Sequence, residues 1–491
     1  MQCQIRKHDD HQFEVKLTYS LDRHRRRERY HLSLFIFYPY QLGLSEATYP
    51  RRPFYEDLNS YTRFKTPTFS LEELNNLDLP GNPLARVRRA IAEGVSAGAW
   101  DNHRTIYEMR MLAMVVRVHV REMTQYLHSL AKQPQATDLP TATRRFLQEL
   151  GHLLATIREL RNRLLAPSVP ETITQTFDLM DEYISLQVEY FLLRTARSLA
   201  RMGIGEKILR ADLCRTACCE AEYRAQRGWQ TVVSDDDHRN EYFLYRESLL
   251  KKFCANVLFL SVNHQAGDTR VRQALSATAA GVAMTLGVTG LWVASRYWSE
   301  NLAALGAVAV LIYVVRDRVK DLLRQYGGHV LSRWTYDRSA SLVDRQYGQK
   351  VGVTRESLRW IGRSALSRTV CDARQYQDSL ERQVAEPTEC ILHYCKDVNV
   401  DAKAIFESHE RAIAIDEILR LHVGRWLDRM DDARKVLLKA ESGEVQPAEK
   451  AARRVYHVNV IVHLSSEATG GQILQKARLI LSRNGIERIE L

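Results

Sequence analysis

Residues 274–315 read ALSATAAGVAMTLGVTGLWVASRYWSENLAALGAVAVLIYVV, two apolar runs on either side of a short polar turn, with no charged residue inside either run. The first run, Ala274 to Ser295, has 22 residues. At about 1.5 Å rise per residue it is roughly 33 Å long as a helix, enough for the hydrocarbon core of a bilayer. The second, Leu302 to Val315, has 14 residues and reaches a comparable length only if its helix starts back at Trp298.

The pair therefore reads as a two-helix transmembrane hairpin. Ala274, Gly287, Ser295, Leu302, Ala307 and Val315 mark the spans, with Arg296, Tyr297 and Trp298 at one interface and Arg316, Arg318 and Lys320 at the other. Small residues recur at helical spacing, Ala279/Ala283/Gly287 in one run and Ala303/Ala307 in the other, which suits close helix packing and homo-oligomerisation. Basic residues flank the outer ends of the pair, while the turn offers only Arg296. Both arms are therefore expected in the cytoplasm of a bacterial cell, anchored in its inner membrane. The opening residues, Met1 to His8, contain no apolar run of a signal peptide, so the hairpin itself would direct insertion.

Around the hairpin, the 491 residues divide by pattern. Residues 1–75 contain an alternating strand, Phe13 to Leu21, and a more apolar one, Leu32 to Tyr38, read as a β-hairpin with a basic tip at Asp22 to Arg29. Residues 76–270 read as a cytoplasmic helical bundle. Asn82-Pro83 is a cap and first helical position, and Phe146, Leu147, Leu150, Leu153, Leu154 and Ile157 form a clear stripe.

Residues 271–316 hold the hairpin, and 317–400 hold a helix extension ending at Gly327-Gly328 followed by mixed strands and turns. Residues 401–491 read as a small α/β layer. Within it Ile415 to Met430 has amphipathic helical spacing, Tyr456 to Leu464 alternates as a strand, and Ile473 to Leu481 reads as a helix. The fold class expected is thus mixed α+β, mainly α-helical and membrane-anchored.

The net charge of +11, from 70 basic and 59 acidic residues, favours an anionic surface. With the basic residues spread along the chain and no basic-aromatic recognition motif, anionic lipid headgroups rank above nucleic acid as partners. The eight cysteines form no disulfide framework. Cys214, Cys218 and Cys219 are close in sequence, and Cys390, His393 and Cys395 lie in a strand-like run, but neither group has the paired spacing of a structural zinc site.

His457, Asn459 and His463 share one face of the late strand and are the candidate catalytic or ligating groups, set against the ordinary reading of a solvated sheet face. Asp235-Asp236-Asp237-His238 fits a helix cap better than a cation site. No phosphate loop, nucleophile elbow, zinc-protease or dinucleotide motif is present, and no cofactor is implied. Three functions remain open: a membrane-anchored interaction or assembly protein, a membrane-tethered enzyme acting on a cytoplasmic or lipid-linked substrate, and an oligomeric pore-former. The first is favoured, and the absence of charge within the spans counts against the third.

Overall fold

The computed structural model describes residues 1–79, 81–133, 138–203, 207–232, 236–266, 269–297, 302–332, 336–440 and 448–491. The strands are β1 (Gln2–Lys7), β2 (Gln12–Ser20), β3 (Arg27–Pro39), β4 (Leu58–Phe64), β5 (Leu260–Ala266), β6 (Arg338–Asp344), β7 (Lys350–Ile361), β8 (Glu389–Asp401), β9 (Ala414–His422), β10 (Arg434–Lys439), β11 (Ala448–Arg453), β12 (Tyr456–Ser466), β13 (Gln472–Ser482) and β14 (Gly485–Glu490). The helices are α1 (Arg51–Asp57), α2 (Leu71–Asn75), α3 (Pro83–Ala97), α4 (Asn102–Ala131), α5 (Leu139–Arg163), α6 (Glu171–Arg201), α7 (Lys207–Gln226), α8 (Asp237–Ala255), α9 (Thr269–Tyr297), α10 (Leu302–Ser332), α11 (Arg368–Ala373), α12 (Ser379–Thr388), α13 (Ala402–Ser408) and α14 (Gly424–Leu427).

Two antiparallel sheets carry the architecture. An eight-stranded sheet runs β14-β13-β12-β3-β8-β7-β6-β5, and a four-stranded sheet runs β1-β2-β9-β4. Their facing sides share one core, with Val15, Leu17 and Tyr19 of the small sheet opposite Leu32, Leu34 and Ile36 of the large one. The helices cover the small sheet's other side, where Arg63 of β4 and Arg420 of β9 lie within charge range of Arg117 of α4 and Lys251 of α8. The layers are therefore sheet, sheet and helices.

Helices begin where side chains can cap them. Asn82 accepts from the Leu84 and Ala85 amides at 2.7 and 3.2 Å, and Pro83 follows at the first helical position. Asp236 accepts from the Arg239 amide at 3.0 Å and starts α8.

This architecture corrects the expected fold class. The protein is mixed α/β with large antiparallel sheets, and the two-helix transmembrane hairpin does not stand. Among the described residues one helix, Ser276–Tyr297, is long and apolar enough by length and composition to cross a membrane. α9 and α10 do pack on each other, but the Arg316 stem lies against Gly287, halfway along α9, and Ile312 lies against Gly290. The charged stretch Arg316, Asp317, Arg318, Lys320 and Asp321 thus runs beside the lower half of α9. The uncharged part of α10 has 14 residues. That is about 21 Å of helix, short of the roughly 30 Å hydrocarbon core.

Of the expected span and interface residues, Trp298 lies outside the described residues, and so do the side chains of Ala274 and Leu302. Ser295, Ala307 and Val315 are exposed. Ala279 and Ala283 are buried together with Ala294, whereas Ala307 does not face α9.

Other expectations change as well. The strands at 13–21 and 32–38 do not form a hairpin with each other: β2 pairs with β1 and β9, and β3 with β8 and β12. Ile415 to Met430 is mostly strand β9 followed by the short α14, and Ile473 to Leu481 is strand β13 between β12 and β14. The C-terminal layer is therefore antiparallel β. Gly327-Gly328 does not end α10, which continues to Ser332.

A charged cluster is enclosed between the sheets. Lys396 of β8 stands in register with Glu356 of β7, which is in register with Arg338 of β6. The Lys396 ammonium lies 2.8 Å from Glu356 and also pairs with Glu417 of the opposite sheet. Glu417 accepts from Tyr19 at 2.6 Å and from Ser60 at 2.9 Å. Lys396, Glu356 and Glu417 are each at most 2% exposed.

Candidate functional site

The outer face of the eight-stranded sheet carries the main gathering of polar chemistry. Alternation on β3 turns Leu32, Leu34 and Ile36 inward and His31, Ser33 and Phe35 outward. Register then places Asp397 beside His31, Cys395 beside Ser33 and His393 beside Phe35. On the other flank of β3, His463 of β12 pairs with Ser33.

At the end nearer β6, His31 Nδ1 lies 2.5 Å from one Asp397 oxygen, and the Tyr336 hydroxyl donates to the other at 2.5 Å. The other ring nitrogen of His31, Nε2, is 3.2 Å from Ser33 Oγ. Burial would raise the Asp397 carboxyl, but the hydrogen bonds from His31 and Tyr336 and the Arg355 charge bring it below the usual carboxylate range. His31, Asp397 and Tyr336 border a cleft of about 440 Å³ that Arg29, Arg355 and Glu467 also line. Tyr336 follows α10 closely in the chain, so the site lies at the foot of the helical arm.

The connection Ser33–His31–Asp397 is that of a nucleophile, its base and the group orienting the base. Two features limit it. Ser33 is 5% exposed, and it stands mid-strand with partners on both sides, so its amide belongs to the ladder rather than to an oxyanion site. The row is suited to holding a proton and orienting a polar ligand.

Cys395 and His393 form a second pair on this face, Sγ to Nε2 at 3.0 Å. Burial pushes the Cys395 thiol up to about 11. Burial, with the nearby Arg359 and His31 charges, pulls the His393 imidazole down to about 4. At neutral pH the pair is thiol and neutral imidazole rather than thiolate and imidazolium. Cys254 is also buried, its thiol pushed up to about 12, whereas Cys218 and Cys219 are exposed. Brief treatment of the folded protein with iodoacetamide is expected to modify Cys218 and Cys219 and to spare Cys395 and Cys254 until denaturant is added. Peptide mass spectrometry reads the four sites, and rapid modification of native Cys395 would contradict the assignment.

Of the residues singled out from sequence, His457 and His463 do share the outer face of β12, but they are six positions apart, or about 20 Å at 3.3 Å per residue. Between them Asn459 accepts from Arg478 at 3.2 Å, and Ile461 belongs to a small apolar cluster with Phe35 and Phe37. They do not converge on one ligand. His463 lies beside Ser33, at the edge of the gathered site.

Cys214, Cys218 and Cys219 all lie on α7 with free thiols, Cys214 half-buried. Among the described residues no three His, Cys, Asp or Glu side chains cluster as a metal site. Sequence reasoning missed His31, Ser33, Asp397 and Tyr336. The polar alternation of His31, Ser33 and Asp397 was legible on two separate strands, but only the pairing of β3 with β8 brings them together.

No family model, no curated protein and no solved structure matches this chain.

Proposed function

We propose that this is a lipid-attached interaction protein, held at the cytoplasmic face of a membrane by the α9 side of its helical arm. One observation carries the reading. The small residues Ala279, Ala283, Gly287, Gly290 and Ala294 fall within about 80° of one another around α9, on the side packed against α10. The large apolar residues Val282, Met284, Leu286, Val288, Leu291, Trp292 and Val293 spread over most of the remaining circumference and are all exposed. A flat protein partner covers one side of a helix, whereas lipid surrounds it.

Because β5 before α9 pairs with β6 after α10, both ends of the arm return to one sheet, as in an arm that dips into one leaflet without crossing the bilayer. Arg316, Arg318 and Lys320 supply the positive charge suited to anionic headgroups of that leaflet. Flotation with vesicles tests the reading. The intact protein is expected to float with phosphatidylcholine vesicles, to float more completely when phosphatidylglycerol is added, and to stay with lipid in carbonate. A chain that is soluble without detergent and remains at the bottom of the gradient would refute it.

The Ser33–His31–Asp397 connection favours one second reading, a lipid-tethered hydrolase. A fluorophosphonate probe tests it: an adduct on Ser33, lost in His31→Ala, would support hydrolysis, and no adduct leaves the site to binding.

A further inference from the structure

A second cleft lies well away from this sheet face, between α4 and α6. Arg117, Arg121, Gln125 and His128 repeat at helical spacing along one side of α4. Two hydrogen bonds clamp this stripe to α6: Arg117 Nε donates to Gln187 at 2.9 Å, and His128 Nδ1 lies 2.9 Å from Ser198 Oγ. Next to the second clamp is a cavity of about 220 Å³, bordered by Arg121, Gln125, His128, Phe191 and Arg194.

Among the described residues, none lining this cavity is acidic. The nearby hydroxyls are already committed, Thr124 donating to the Arg121 carbonyl and Thr195 to that of Phe191, each at 2.8 Å. The guanidinia are less well served. Arg121 Nε is buried with no hydrogen-bond partner among the described residues. Its acidic neighbour Glu122, at 3.6 Å, forms a solvent-exposed pair with it that is worth little. Arg194 reaches the Tyr190 hydroxyl at 3.5 Å.

The positive field continues toward the small sheet. Burial and then the Arg117, Arg420 and Arg63 charges hold the Lys251 ammonium below its usual range, with Glu247 offsetting part of the effect. Asp416, 3.6 Å from Arg63, is a counter-charge for that arginine.

We infer that the α4/α6 cleft binds a small phosphate-bearing anion, gripped by Arg121 and Arg194, with Phe191 against its organic part. Two guanidinia give the paired donors that phosphate oxygens take up. A cavity of about 220 Å³ has room for a phosphate with a short organic group. A free organic phosphate and a phospholipid headgroup share this chemistry.

Isothermal titration calorimetry of the full chain in an uncharged detergent tests the inference, with inorganic phosphate, pyrophosphate, glycerol 3-phosphate and dioctanoyl phosphatidic acid as probes. At least one probe is expected to bind saturably at one site per chain. Arg121→Gln and Arg194→Gln should each weaken it about tenfold or more, while Arg145→Gln, at an exposed residue of α5, leaves it unchanged. Tighter binding of the short-chain lipid than of glycerol 3-phosphate identifies a headgroup, and equal binding identifies a soluble phosphate. Both outcomes support the site. No saturable binding of any probe, or binding untouched by both cleft substitutions in variants with unchanged urea midpoints, would overturn it.

Discussion

Lys396→Met is expected to cost about 3–5 kcal/mol of stability, enough to unfold many single domains, because it leaves two enclosed carboxylates without the cation between them. Glu356 would retain Arg338, but Glu417 would retain only the hydroxyls of Tyr19 and Ser60. The triple variant Lys396→Met/Glu356→Gln/Glu417→Gln removes the unpaired charges and should recover much of the loss. Urea denaturation of the three proteins provides the measurement. A single variant as stable as the parent would mean that the charges are hydrated rather than enclosed.

The same cluster sets an acid limit. Burial would raise the Glu356 carboxyl, but the Lys396 and Arg338 charges outweigh it and hold the group down at about 2, against an ordinary value of 4.5. A folded-state value below the unfolded one means that the unfolded chain takes up the proton first as pH falls. The stabilisation is therefore complete above about 4.5 and is lost as pH drops from there toward about 2. Lys396→Met should bring the loss to higher pH.

The second large effect concerns the arm. Val288 and Trp292, 61% and 65% exposed, lie on the side of α9 turned away from α10. Placing lysine at both is expected to remove most of the attachment to lipid, because each charged side chain would have to leave water to follow this face of α9 into the apolar layer. The double variant Val288→Lys/Trp292→Lys should lose flotation with vesicles. Its urea transition should match the parent's, because neither side chain belongs to the packed core. If the double variant floats as the parent does, this surface of α9 does not face lipid.

Several features were legible in sequence because they depend on neighbours along the chain. Asn82 and Asp236 start helices through their own side chains, and the stripe from Phe146 to Ile157 is buried on one side of α5. Ala279, Ala283 and Gly287 form the close-packed side of α9, since a small side chain at helical spacing permits approach whatever surrounds it. The apolar run through α9 likewise marks the one helix among the described residues that has the length and composition of a membrane span.

What the sequence did not determine was which strands meet. β9 is covered on one side by the large sheet and on the other by the helices. Ile415, Asp416, Glu417 and Leu419 are therefore all buried, and the period-two signal disappears into spacing that resembles a helix. Ile473 to Leu481 is a strand because β12 and β14 flank it, a pairing that local periodicity does not encode. His31 and Asp397 are 366 positions apart, and Lys396 meets a carboxylate from each sheet. The sequence by itself determined the starts of α3 and α8, the packed face of α9 and its apolar length. Only the tertiary structure decided the polar site and the enclosed charges, because each depends on residues brought together by long-range pairing.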